Sequence, residues 1–163
     1  MMNAPDSQNL LNARIELEHI QLELRNGRTQ HFRHFVDQYY CYKKGHVKRT
    51  GTAHWESFVW KGNVSLHARK LGNRKLVVKE HAMPLLVIRG LLADLFRAGN
   101  ATLDGIAKLL DENVVFATIS KEEDARLRRL GLSSKMPDGF GIQGNVLCGD
   151  LLARYKFADI EME

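Results

Sequence analysis

The segment RKLVVKEHAMPLLVIRGLLADLF, residues 74–96, decides the fold class because its hydrophobic pattern changes period partway along. Up to His81 it is a short run rich in apolar and β-branched residues, which is typical of a buried strand. Pro84 suits the first position of a helix, and the apolar residues after it predict a core helix that ends at Gly99. The chain is therefore expected to contain both strands and helices.

Two further strands are predicted upstream of this segment. From His54 onward apolar and polar residues alternate, and Gly-Asn pairs mark turns at 62–63 and 72–73. The sequence therefore predicts a meander of three antiparallel strands, at 53–60, 64–70 and 74–81.

Two helices are predicted at the N-terminal end, within residues 7–44. The first spans 7–26, with Ser7 as its N-cap, and carries apolar residues on two sides. The second of these sides suits a twofold contact with another copy of the chain, so a homodimer is one expectation. The second helix is capped by Thr29, has a single buried face and ends before Gly45.

The C-terminal half is expected to mix helix, strand and loop. A helix is predicted at 102–112, and the apolar run 114–119 predicts an additional, buried strand. Ser120 and Glu123 have the spacing of a capping box, which opens a further helix. The glycine-rich stretch 133–149 predicts a loop, and a last short helix follows it.

Together these elements predict an α+β fold in which a three-stranded antiparallel meander packs against helices. With 163 residues, 44% of them hydrophobic, the chain is long enough to bury a core as one domain, residues 1–163. Its expected parts are the N-terminal helices, the meander, and the core helix with a C-terminal αβα part, at 7–44, 53–81 and 84–163.

Composition also predicts the compartment. Cys41 and Cys148 lie far apart and outside any C-x-x-C pattern, so we expect free, buried thiols and a reducing environment. The first residues lack the cationic and apolar regions of a secretory leader. No stretch reaches the roughly eighteen uncharged apolar residues of a membrane span. The sequence therefore favours a soluble, cytoplasmic protein that does not enter a membrane.

The strongest functional signal is an uneven distribution of charge. Residues 25–81 hold thirteen Lys or Arg and three acids, whereas the rest of the chain holds eleven and sixteen. A concentrated positive field attracts polyanions, above all nucleic acid. We therefore predict a nucleic-acid-associated binding protein that uses the basic, aromatic-rich surface of this block.

Long basic side chains near turns and strand ends are the residues expected to contact phosphate. They are Arg33, Lys43, Lys44, Lys48, Arg49, Lys61, Arg69, Lys70, Arg74 and Lys75. Trp55 and Trp60 are candidates for stacking on unpaired bases, and core packing is the alternative role for both.

A second interpretation is enzymatic. Glu80-His81-x-x-Pro84, where the predicted strand turns into the helix, resembles the acid-His-x-x-Pro opening of the HNH nucleases. That resemblance covers five residues and implies His81 as a general base beside a divalent metal. The first turns after Pro84 offer no His or Asn to complete such a site, so Glu80 and His81 are alternatively structural residues that bond neighbouring backbone. Glu56 is a third candidate catalytic residue, or a partner of nearby cations.

Three classes of function therefore stay open. They are a nucleic-acid-binding module, a divergent metal-dependent HNH-like nuclease, and a protein-interaction or inhibitor module of the mobile-element kind, whose basic face binds an acidic protein. The sequence has no phosphate loop, dinucleotide fingerprint, nucleophile elbow or H-E-x-x-H motif. No cofactor or metal-ligand set is therefore predicted, apart from the divalent metal that the nuclease would need.

Overall fold

The computed structural model of the chain describes residues 6–163. These residues form α1 (Ser7–Arg25), α2 (Phe32–Lys44), β1 (Asn63–Val64), α3 (Leu66–Leu71), β2 (Val77–His81), α4 (Leu85–Arg97), α5 (Leu103–Asn113), β3 (Phe116–Ser120), α6 (Lys121–Arg129) and α7 (Ala153–Phe157). Short 3-10 turns lie at Trp55–Phe58, Arg74–Leu76 and Asp138–Gly141. The mixed α+β class is confirmed.

Contacts divide the chain into two compact units. The first unit runs to Phe58 and includes Arg89–Glu112, and the second comprises Val59–Ile88 and Asn113–Glu163. Organisation as a single domain stays a prediction. The residues before Asp6, to which the expectation about a leader partly refers, lie outside the described part of the chain. Between residues 6 and 163 no helix is both long and apolar enough to cross a membrane.

In the first unit α1 packs along α2. The face of α1 that carries Leu17 and Ile20 is buried, whereas Leu11 and Leu22 on its second apolar side are exposed. The two apolar sides predicted for this helix therefore differ, since only one is covered within the chain. A homodimer contact through the other side stays a prediction.

The starts of both N-terminal helices differ from the predicted ones. The side chain of Asp6, not that of Ser7, accepts the capping hydrogen bond of α1. The hydroxyl of Thr29 accepts a hydrogen bond from Arg89 Nη2 at 2.6 Å instead of capping a helix. Consequently α2 begins later than predicted, at Phe32.

The helix predicted as apolar on nearly every side, α4, is amphipathic. Ile88 and Leu92 are completely buried, but Leu86 is 54% exposed and Phe96 is 41% exposed. The prediction of a core helix therefore holds for one face only. Gly99 follows this helix with φ near +75°, as expected for a glycine that ends a helix.

A mixed three-stranded sheet forms the centre of the second unit, in the order β1-β3-β2. β1 pairs with β3 in parallel, and β2 pairs with β3 antiparallel, with Val77 opposite Ser120 and His81 opposite Phe116. The additional strand predicted at 114–119 is thus the central strand. All five residues of β3 are buried, as expected for a central strand that is covered on both faces.

The prediction of an antiparallel meander is therefore wrong, and local hydrogen bonds explain why its first strand does not form. The segment 53–60 contains a 3-10 turn, because Ser57 Oγ donates to the carbonyl of His54 at 2.8 Å and bonds the ring of His46 at 2.9 Å. Short polar side chains that bond nearby backbone compete in this way with a strand ladder.

The second and third predicted strands are shortened for similar reasons. In 64–70 the strand ends at Val64, because Ser65 accepts a hydrogen bond from Ala68 N and caps α3. In 74–81 the side chain of Asn73 caps a 3-10 turn, so that β2 begins only at Val77.

The rest of the second unit follows the sequence more closely. Ser120 and Glu123 form the predicted capping box at the start of α6. The sheet packs against α6 and α7 in a cluster that includes Ile119 of β3, Leu127 of α6 and Tyr155 of α7. Cys148 is exposed rather than buried. Neither it nor the buried Cys41 of the first unit forms a disulfide bond.

Candidate functional site

The predicted catalytic carboxylate Glu80 lies near the end of β2, in a cluster of hydrogen bonds. Its Oε1 accepts hydrogen bonds from Arg154 Nη2 at 2.8 Å and from the Tyr155 hydroxyl at 2.7 Å. Arg154 is 1% exposed and also donates to the backbone carbonyls of Ala82, His81 and Leu132. Arg154 thus joins α7 to the end of β2 and to the loop after α6.

His81, the residue that the resemblance casts as general base, is 5% exposed. The centroid of its ring lies 4.5 Å from that of Phe116, on the neighbouring strand β3. A general base has to reach a water molecule beside the substrate, which requires access that this ring lacks. Among residues 6–163 no group of three or more His, Cys, Asp or Glu is placed to hold a metal ion. The contacts of Glu80 and His81 favour a structural role.

Glu56, the third candidate catalytic residue, is not brought to this cluster. It is exposed, lies in the 3-10 turn Trp55–Phe58 and belongs to the first unit, whereas Glu80 and His81 belong to the second. The same turn contains Trp55, while Trp60 packs against the small apolar cluster of Val64 in the second unit.

The environment of Glu80 leads to a prediction for pH dependence. Burial raises the pKa of Glu80 above its ordinary value, against the opposing effects of Arg154 and Tyr155. A raised folded-state pKa means that the folded protein binds this proton more tightly than the unfolded chain does. The resulting stabilisation is complete below the ordinary carboxyl pKa and is lost as pH rises through the folded-state value.

We therefore expect wild type to gain stability relative to Glu80→Gln as pH falls from about 7.5 to about 4.5, since glutamine does not titrate. Urea unfolding of both proteins across this range measures the difference. A difference that stays constant, or that changes in the opposite direction, would contradict the raised pKa.

A second polar cluster contains a hydroxyl, an imidazole and a carboxylate, but not in the geometry of a catalytic triad. Ser120 Oγ lies 3.3 Å from His67 Nδ1, and Glu122 Oε2 lies 3.9 Å from the same nitrogen. In a triad the two ring nitrogens separately contact the nucleophile and the acid. Ser120 is also completely buried and accepts a hydrogen bond from the backbone of Glu123. This cluster therefore stabilises the start of α6.

In the first unit the predicted basic residues lie around a tight turn after α2. Val47 pairs with Ala53, and the backbone N–H of Lys48 donates to the carbonyl of Thr52 at 2.8 Å. Lys48 and Arg49 occupy the exposed tip, which we call the Lys48 turn (residues 47–53). Lys44, at the end of α2, is also exposed, as is Arg33 near its start.

Lys43 differs from these residues because it is already paired. Its Nζ lies 3.5 Å from Asp111 Oδ2, and Asp111 also accepts a hydrogen bond from the Tyr39 hydroxyl at 2.9 Å. Burial and this carboxylate raise the pKa of Tyr39. Lys43 and Tyr39 line a groove of about 490 Å³ together with Arg14 and Asp104. Since its wall carries both signs of charge, the groove is less suited to a polyanion than the Lys48 turn is.

In the second unit the predicted basic residues are concentrated from the last turn of α3 to the 3-10 turn before β2, in a segment that we call the basic segment (residues 69–75). Two arginines hold this segment in place: Arg69 pairs with Glu163 at 2.7 Å, and Arg74 donates to the carbonyl of Val77. Lys70 and Lys75 are exposed. Lys61 is likewise exposed, in the turn before β1.

Arg154 and Tyr155 are the principal residues that sequence reasoning missed. They lie in a short C-terminal helix, 74 and 75 residues from the carboxylate that they bond. No local pattern marks an arginine as buried, because its partners are carbonyls and a carboxylate distant in sequence. The capping signal of Ser65, in contrast, was available from its position before Ala68.

The described residues thus offer two kinds of candidate site. The basic side chains on turns are accessible to a large ligand, whereas the Glu80 carboxylate is already bonded on one oxygen by two partners. Comparison of the chain with models of protein families, with characterised proteins and with solved structures finds no match.

Proposed function

We propose that this protein binds nucleic acid through exposed basic side chains of the Lys48 turn in the first unit, and through Lys61 and the basic segment in the second. The proposal rests on the solvent exposure and the ion pairing of these side chains. Among residues 6–163, Lys48 and Arg49 in the first unit and Lys61, Lys70 and Lys75 in the second are exposed and form no ion pair.

Ordered turns make these charges more effective than mobile ones. Backbone hydrogen bonds fix the Lys48 turn, and Arg69 and Arg74 fix the basic segment. Binding therefore orders only the side chains, not the backbone that carries them. Phosphates are then recognised by charge, with counterion release as the main favourable contribution.

The nuclease alternative receives less support. The candidate general base His81 is buried against Phe116, and the carboxylate of Glu80 is held by Arg154 and Tyr155. A binding role requires neither residue to be accessible. An acidic protein partner would use the same exposed cations, so the experiment has to separate these possibilities.

Reversing the charges of the Lys48 turn tests the proposal. We expect Lys48→Glu with Arg49→Glu to weaken binding of a short DNA by about tenfold or more at low salt. The negative slope of log K against log salt should become shallower by about two. Electrophoretic mobility shifts with titrated salt measure both quantities. Lys70→Glu with Lys75→Glu should have the same effect from the second unit.

Arg97→Glu with Lys108→Glu is the matched control, because it changes the charge equally at exposed positions of the first unit. Equal losses in the control and the test variant would mean that only net charge matters. Absence of retention at low salt would instead favour an acidic protein partner. Mg²⁺-dependent cleavage that His81→Ala removes would assign the nuclease activity.

A further inference from the structure

Four rings lie together where α1 and α2 meet in the first unit. The ring centroid of Phe35 is 4.8 Å from that of His19, 6.4 Å from that of His31 and 5.7 Å from that of His34. All three histidines are exposed, and Phe35 is half-buried. We call these four residues the ring cluster.

The ring cluster differs from both a hydrophobic core and a metal centre. Core aromatic residues are surrounded by buried apolar side chains, whereas Phe35 has exposed imidazoles around it. His19 Nδ1 lies 3.2 Å from Glu16 Oε2, and His34 Nε2 lies 3.5 Å from Gln38 Nε2. No three metal-ligating side chains converge anywhere in residues 6–163. The cluster therefore presents planar, partly solvent-exposed rings to a ligand.

We infer that the ring cluster stacks on unpaired bases, so that the ligand of this protein is single-stranded nucleic acid. This inference rests on the proposed nucleic-acid binding. Histidine and phenylalanine rings stack on bases that are splayed out of a strand, and such stacking tolerates any base sequence. The bases of a duplex are already stacked on one another and present only their edges.

A basic residue adjoins the ring cluster in sequence. Arg33 is exposed and precedes His34 directly on α2. Among residues 6–163 its side chain forms no ion pair, so the guanidinium is available to the backbone of a strand whose bases lie on the rings. Single-strand-binding proteins combine cations and rings in the same way.

The test compares three fluorescent probes of one mixed sequence: single-stranded DNA, single-stranded RNA and duplex DNA. Fluorescence anisotropy at fixed salt should show tighter binding of one or both single strands than of the duplex. His31→Ala with His34→Ala should weaken single-strand binding about tenfold, which is in the range of one lost stacking contact. The affinity of this double variant for the duplex, and the salt dependence of its binding, should equal those of wild type.

Gln8→Ala with Asn12→Ala is the control, since these two α1 side chains hydrogen bond to each other and precede His19 by at least seven residues. Thermal melting verifies that all variants are folded. Equal binding of single strands and duplex, with no effect of the histidine substitutions, would overturn the inference while leaving nucleic-acid binding intact. Failure of all three probes to bind at low salt would overturn the proposed function itself. The single strand that binds more tightly, DNA or RNA, identifies the chemical class of the ligand.

Discussion

Replacing Arg154 with methionine should lower the free energy of unfolding by about 3 to 5 kcal/mol, the usual cost of breaking a buried ion pair by removing one partner. Methionine fills much of the same volume but donates nothing. The substitution therefore leaves Glu80 without its guanidinium, and it leaves the carbonyls of Ala82 and Leu132 without their donor. Urea unfolding at neutral pH measures the loss.

Two variants show whether the loss comes from these contacts. Arg128→Met removes an arginine whose side chain is 63% exposed and pairs with Asp124 on α6, so it should cost about 1 kcal/mol or less. Glu80→Gln retains an acceptor for Arg154 and Tyr155 and should cost less than Arg154→Met. A loss for Arg154→Met no larger than that for Arg128→Met would show that the buried contacts contribute little.

The Arg154 cluster also bears on function, because it gives the side chain of Glu80 a structural partner. Glu80 binds Arg154 through its side chain, and His81 binds it through its carbonyl. The acid of the pattern that resembles a nuclease motif thus connects β2 to α7, whereas the carbonyl that His81 contributes would be supplied by any residue. A strand end can carry such a pair for packing as readily as for catalysis.

Local signals predicted the elements that depend on neighbouring residues. The Ser120–Glu123 capping box, the apolar run of β3 and the glycine after α4 each operate within a few residues, and each was recognised. Apart from α3, which lies where a strand was predicted, the existence of the helices followed from the sequence more reliably than their first residues did. The caps of α1 and α2 failed because several short polar residues compete for each position.

The topology of the sheet could not be predicted in the same way. The alternation in 53–60 is real, but Ser57 bonds local groups, and Ser65 starts a helix where a second strand was expected. Among residues 6–163, β3 is then the strand with which both β1 and β2 pair. Pairing between β1 and β3 joins residues 54 positions apart, as Asn63 and Ala117 show. No local pattern encodes such a choice.

The basic residues show a third outcome. Their exposure on turns was predicted from sequence, but their pairing was not. Lys43, Arg69 and Arg74 are occupied by Asp111, Glu163 and the carbonyl of Val77, so they contribute structure as well as charge. The cations most available to a ligand are those of the Lys48 turn together with Arg33, Lys44, Lys61, Lys70 and Lys75.

Replacing Leu92 with alanine should lower the free energy of unfolding by about 2 to 5 kcal/mol. Leu92 is completely buried on the covered face of α4, so truncation removes its apolar contacts and leaves a cavity. The surroundings of a close-packed side chain relax only partly, which keeps the cost above that of transfer to water alone. Chemical denaturation monitored by circular dichroism measures this loss.

Leu86→Ala on the same helix is the matched control for this prediction. Leu86 is 54% exposed, so the identical truncation there should change stability by about 0.5 kcal/mol or less. The difference between the two variants isolates burial from helix propensity, because both replace leucine by alanine within α4. Similar losses at both positions would mean that the exposed face of α4 is covered in solution, and that the amphipathic description of this helix is wrong.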